Sequence, residues 1–260
     1  MSEASRTHGF DPSHWHYLAG TLRLKSAERA DSRSLNVADF LDPRRCRELL
    51  DHLGPVIGSP ERRTTASLLS KRLGFLLTGA PLYALSICDR RLDLSASNCV
   101  IEYAYDDGVW TSSLPLWTLE SEALAASRRH SARRETLHVL FAQTIVPLWQ
   151  RLREVGGVPE RILWENLAVR VYSLYERRLT GLACTHAIQR RDEDYRFLLA
   201  ADPSLFGLDF NPLARFFHAR TRPEDNDSVR FRRTCCLYFK ATCPREYCQA
   251  CPLIKPRNPA

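Results

Sequence analysis

Apolar residues along this chain recur mostly at helical spacing. Leu137, Phe141, Ile145, Leu148, Leu152 and Val155 mark one face of a long helix. Pro147 should kink it, and Gly156-Gly157 should end it. Leu163, Leu167, Val171 and Leu174 mark a second helix that reaches Arg178, and a shorter one is expected over 192–200. Upstream, Asp42-Pro43 and Ser59-Pro60 each read as a helix start, with a polar cap before a proline at the first helical position. The second of these helices should run toward Leu77 and break at Gly79 and Pro81, with a third following. Residues 98–105 and 109–114 are rich in β-branched and aromatic side chains. Asp106-Asp107-Gly108 between them predicts a hairpin. Residues before Asp39 carry scattered polar and Ser/Arg clusters and predict a loose arm. The fold class is therefore α+β, predominantly α-helical, with a small hairpin. The domains expected are an arm over 1–40, a helical body over 41–225 and a short C-terminal module over 226–260. A linker at Arg222–Ser228, of composition RPEDNDS, precedes that module.

Composition narrows the class. The 260 residues carry a formal charge of +7, almost all of it from arginine; lysine stands only at Lys25, Lys71, Lys240 and Lys255. A GC-rich genome accounts for such a skew, while a basic surface favours acidic proteins or anionic ligands. No helix-turn-helix, zinc-finger or RNA-binding signature accompanies the charge, so nucleic acid is not the expected partner. The longest apolar stretch, Gly74 to Ile87, is interrupted by Thr78, Pro81 and Ser86 and is too short to span a bilayer, so it reads as a core helix. The N-terminus has no signal-peptide design, and a cytoplasmic protein is expected, at most resting on the inner face of the membrane.

Nine cysteines are present, and five of them crowd between Cys235 and Cys251. In a reducing compartment such a cluster points to metal rather than disulfides. The candidate ligands are the adjacent pair Cys235-Cys236 and the pair Cys248-x-x-Cys251. A C-x-x-C turn aims two thiolates at one centre, as iron–sulfur and zinc sites both require. Neighbouring side chains on an extended strand point to opposite faces. Cys235 and Cys236 can therefore share a centre only across a backbone bend, or by ligating different atoms of a larger group. A two-iron cluster suits that geometry better than a single zinc ion, and zinc remains the alternative. Cys243 lies in ferredoxin-like spacing to Cys248 and Cys251, so it is either an additional ligand candidate or a free thiol.

Arg232-Arg-Thr-Cys-Cys-Leu-Tyr238 followed by Tyr247-Cys-x-x-Cys-Pro-Leu253 resembles the C-terminal [2Fe–2S] module of FhuF-type ferric siderophore reductases. Leu163-Trp164-Glu165-Asn166-Leu167 resembles that family's Leu-Trp-x-Asn segment, which related siderophore synthetases share, and Asn211-Pro212-Leu213 a short motif before the cluster. The resemblance implies a mostly helical domain and a [2Fe–2S] cluster on Cys235, Cys236, Cys248 and Cys251. It also implies one-electron reduction of a ferric hydroxamate siderophore. Hydroxamate oxygens are hard donors that hold Fe³⁺ far better than Fe²⁺, so one electron loosens the iron. The extra Cys243 and a gap of eleven residues between the cysteine pairs depart from the family pattern.

On this reading Trp164, Asn166, Arg170 and Tyr175 would contact the siderophore, with Asn166 orienting it; the alternative for Trp164 and Tyr175 is the core. No G-x-G-x-x-G follows a strand, so electrons should come from an external carrier such as ferredoxin or flavodoxin. His138, His186 and His14-Trp15-His16 form no convincing acid–base set. The competing readings are a zinc-stapled binding protein and an iron–sulfur sensor.

Overall fold

The computed structural model describes residues 7–180, 184–221 and 228–255. Its order is α1 (Pro12–Gly20), β1 (Leu24–Ser26), β2 (Ser34–Asn36), α2 (Val37–Phe40), α3 (Pro43–Val56) and α4 (Arg62–Ser86). Six short strands follow: β3 (Arg90–Arg91), β4 (Val100–Glu102), β5 (Tyr105–Asp106), β6 (Val109–Trp110), β7 (Leu114–Leu116) and β8 (Glu122–Ala123). The second half is helical, with α5 (Arg129–His138), α6 (Val146–Gly156), α7 (Glu160–Ser173), α8 (Thr185–Ala200) and α9 (Pro212–Arg215). The helical α+β class holds, and none of the described helices is long and apolar enough to cross a membrane.

The core is built around α4. Its apolar residues face every direction, and Leu69, Leu73, Leu76, Leu77, Ala80, Leu82 and Leu85 are all buried. That burial explains why the expected break at Gly79 and Pro81 does not occur: α4 runs unbroken past both. An interior proline costs about 3 kcal/mol. Each fully buried leucine contributes about 1.5–3 kcal/mol, so several of them outweigh it.

At α3 the expected cap is present, Asp42 Oδ1 accepting from the backbone N–H groups of Arg44 and Arg45 at 2.8 and 3.0 Å. The disruption expected at Pro147 lies just upstream, as a π-helical segment over Val139–Ile145 between α5 and α6. Gly157 closes α6 with φ 67°, a conformation that favours glycine. α7 continues to Arg178 through a π turn, and α8 begins earlier than its expected start at residue 192. The expected linker lies, apart from Ser228, outside the described residues.

Two further expectations are corrected. Residues 12–40 form no loose arm: Leu18, Leu22, Leu24, Val37 and Phe40 are buried. This segment also takes the strand partners assigned to the hairpin. β2 pairs antiparallel with β4, and β1 pairs parallel with β7. Only β5 and β6 pair across Asp107-Gly108. The reason lies in β4 and β7, which are buried along their whole length. Strands closed in the core need every backbone group paired, and the N-terminal segment supplies the partners.

α4 and α7 share the most extensive helix–helix contact and carry the site described below. A Cβ on Gly74 would stand 3.1 Å from Leu167 Cα, which is backbone and cannot yield. Gly74→Val is therefore expected to destabilise the fold by roughly 1–3 kcal/mol, measured as a lowered urea midpoint.

Candidate functional site

The site begins with polar residues sealed between α4 and α7. Asn166 is fully buried. Its Nδ2 donates to Ser67 O at 2.9 Å and Ser70 Oγ at 2.8 Å, while its Oδ1 accepts from Arg232 at 2.6 Å. Ser67 Oγ in turn donates to the carbonyl of Cys236 at 2.8 Å. Beside Asn166, the buried Glu165 accepts from the backbone N–H groups of Arg233 and Thr234, both at 2.7 Å, and from the Thr234 hydroxyl. It also faces the Arg232 guanidinium at 3.7 Å, with both side chains 2 % exposed. The two helices thus present a carboxylate and an amide that hold the segment leading into Cys235.

On this seat the four predicted cysteines come together. Cys236 Sγ lies 3.6 Å from Cys248 Sγ, and Cys235 is within electrostatic reach of both Cys236 and Cys251. The bend that adjacent cysteines demand follows them directly: Leu237 has φ 65°, a left-handed conformation rare outside glycine. Its N–H points back to Cys235 Sγ at 3.4 Å. The second pair sits on a tight turn, Cys251 N–H donating to Cys248 O at 2.9 Å, and Arg232 N–H ties that turn to the first segment through Ala250 O. Cys243 is exposed. Among the described residues no three His, Cys, Asp or Glu side chains converge on a single point.

The surroundings are cationic. Lys71 Nζ lies 3.9 Å from Cys236 Sγ and 5.2 Å from the centre of the Tyr238 ring. The Cys236 thiol is pushed down to about 5, chiefly by its hydrogen bond with Cys248, then by Lys71, Arg232 and the Tyr238 N–H. Thiolate is the metal-binding form of cysteine. The Cys248 thiol is held up by the same sulfur contact, and burial pushes Cys235 up. Burial lowers Lys71.

Two clefts flank this centre and share Lys71 and Arg170. One, of about 230 Å³, has Cys248 in its wall; the other, of about 260 Å³, is walled by Phe75, Trp110 and Tyr238. Of the four residues expected against the substrate, only Arg170 lines a cleft. Trp164, Asn166 and Tyr175 are closed in the core. Trp164 packs edge-on against Trp149, and Tyr175 stacks on Tyr195 and hydrogen-bonds Ser86. They shape the body, and Asn166 serves the cysteine loop instead of a ligand. Asn211 is likewise structural, capping α9 and donating to Leu198 O and Ala201 O.

The model of the family described as "Ferric iron reductase FhuF-like transporter" matches residues 67–229. The chain belongs to this FhuF-like ferric iron reductase family. The match covers Ser67, Lys71, Glu165, Asn166 and Arg170, and stops before Cys235. No curated protein matches the chain. In this FhuF-like chain, sequence reasoning passed over Ser67, Lys71 and Glu165. The available signal was a Glu-Asn pair inside the apolar face Leu163–Leu167: charge at a buried helical position needs a partner.

Proposed function

We propose that this protein reduces a ferric siderophore by one electron, using a [2Fe–2S] cluster held by Cys235, Cys236, Cys248 and Cys251. The observation that carries the reading is that the four thiols gather on one seat, with Cys236 Sγ against Cys248 Sγ and, among the described residues, no three ligand side chains around a single point. Each iron of such a cluster takes two cysteines, whereas a zinc ion gathers all four sulfurs around one point. When bound, the cluster supplies the capacity to take up and pass on one electron at a time.

The chain's own residues provide the rest. Glu165, Ser67 and Asn166 fix the backbone around Cys235 and Cys236. Lys71 and Arg232 set positive charge beside the sulfurs, which favours the more negative, reduced state. The clefts at Lys71 and Arg170 hold the ferric complex beside the thiols. One electron leaves an external carrier, ferredoxin or flavodoxin, and the chelated Fe³⁺ becomes Fe²⁺; no proton-transfer step is needed. Hydroxamate oxygens then hold the iron weakly. The reading places this reaction in the cytoplasm, where ferrous iron and thiols stay reduced.

The test is the visible and EPR spectrum of anaerobically purified protein before and after dithionite. The expected result is a brown protein whose reduced form gives a [2Fe–2S] signal, lost on addition of a ferric hydroxamate. A colourless protein with stoichiometric zinc would overturn it.

A further inference from the structure

The two clefts differ in how their charges are answered. In the cleft walled by Cys248, Glu176 pairs with Arg220 and with Arg230 at 3.0 Å, and Arg232 bonds to Asn166. In the other, Lys71, Arg72, Arg170 and Arg178 line the wall with no Asp or Glu among the lining residues. Among the described residues Arg72 donates only to the neutral Ser112. Glu102, the carboxylate that acts on Arg72, is ion-paired with Lys25. Arg170, which both clefts share, is the telling case. It is half-buried, its Nε is buried without a hydrogen-bond partner, and it makes no ion pair among the described residues. Burial and the neighbouring Arg232 and Arg178 hold it below the usual guanidinium range. Arg178 is exposed at the rim, 5.3 Å from the Phe75 ring, and also unpaired among the described residues.

A thiolate or a cluster answers part of this charge, since Lys71 faces Cys236. Arg72, Arg170 and Arg178 remain. Like charges drawn together without a counter-charge cost free energy that an anion would return.

We propose that this cleft, between α4, the β5–β6 hairpin and the cysteine loop, receives ferric chelates of net negative charge that carry carboxylates on their outer surface. The inference rests on the reductase reading and adds the substrate class. The donors around the iron decide how the electron releases it; the cleft reads the charge outside. Lys71 and Tyr238 form the shared wall, since the Tyr238 N–H and Lys71 Nζ both reach the Cys236 sulfur.

The experiment compares two chelates that differ only at one end. Desferrioxamine B keeps a free amine, and its N-succinyl derivative carries a carboxylate there. Their gallium(III) complexes are redox-silent and bear opposite net charge. Titrated calorimetrically into the cluster-loaded protein, the succinylated complex is expected to bind about tenfold tighter, the ratio brought by modest charge energies in a solvated cleft. The gap should narrow with salt. Arg170→Gln should shrink it severalfold, and so should Arg178→Gln, whose exposed side chain leaves folding intact. Equal affinity, the reverse order, or a gap indifferent to both substitutions overturns the inference. The iron(III) complexes are then added to dithionite-reduced protein. A charge gap without reoxidation overturns the reductase reading alone, and reoxidation without a gap overturns the substrate class alone.

Discussion

Replacing Cys236 with alanine is expected to yield a protein without iron, without visible absorbance and without reductase activity. Cys236 is 1 % exposed, its sulfur meets Cys248 at 3.6 Å, and it is the thiol held furthest toward thiolate. With one partner of a pair gone, one iron of the proposed cluster loses half of its protein ligands. Three thiols then remain for a centre that takes four, and it cannot close. The helical body should survive, since its contact with this residue runs through the Cys236 carbonyl and Ser67, which alanine retains. Cys243→Ala is the matching control. Cys243 is exposed, and the variant should keep its full iron content. Iron analysis and far-UV circular dichroism on the two variants check both halves. Iron loss in the Cys243 variant would redraw the ligand set.

Glu165→Ala should be the most destabilising single change in the body. Glu165 satisfies two backbone N–H groups and a hydroxyl in the loop before Cys235, and it faces the sealed guanidinium of Arg232. Removing one partner of a buried charge pair costs about 3–5 kcal/mol, mostly because the other charge is left without compensation. Urea unfolding reads this directly. Glu165→Gln keeps the volume and some hydrogen bonding and should cost less. If both variants unfold like the parent, the seat contributes nothing.

The helices were legible because their signals are local. Asp42-Pro43, Gly156-Gly157 and the apolar spacing of α6 and α7 each act within a turn or two. The Cys235-Cys236 and Cys248-x-x-Cys251 motifs stood out for the same reason, whereas the contact of Cys236 with Cys248 crosses between them. What escaped depends on residues far apart in the chain. β4 and β7 find their partners in β2 and β1, across separations that no turn motif announces. α4 continues through Pro81 because it is buried from all sides, a fact about its neighbours and not about its own sequence. Asn166 stood out as a polar residue in a family-like segment and suggested a ligand, while its neighbour Glu165 was passed over. Their partners, Ser67 and Arg232, lie 99 and 66 residues away from Asn166, so only the folded chain reveals that they serve the protein itself.

The location of the seat sets an order of assembly. Every group that grips the cysteine segment, from Ser67 on α4 to Glu165 and Asn166 on α7, is synthesised before it; Thr234 follows Glu165 by 69 residues. At roughly 5–20 residues per second of translation, that interval is several seconds or more. A ribosome therefore finishes the cradle before its occupant. The cysteine segment meets a seat already made, so the ligands of the proposed cluster come together only after the body that holds them.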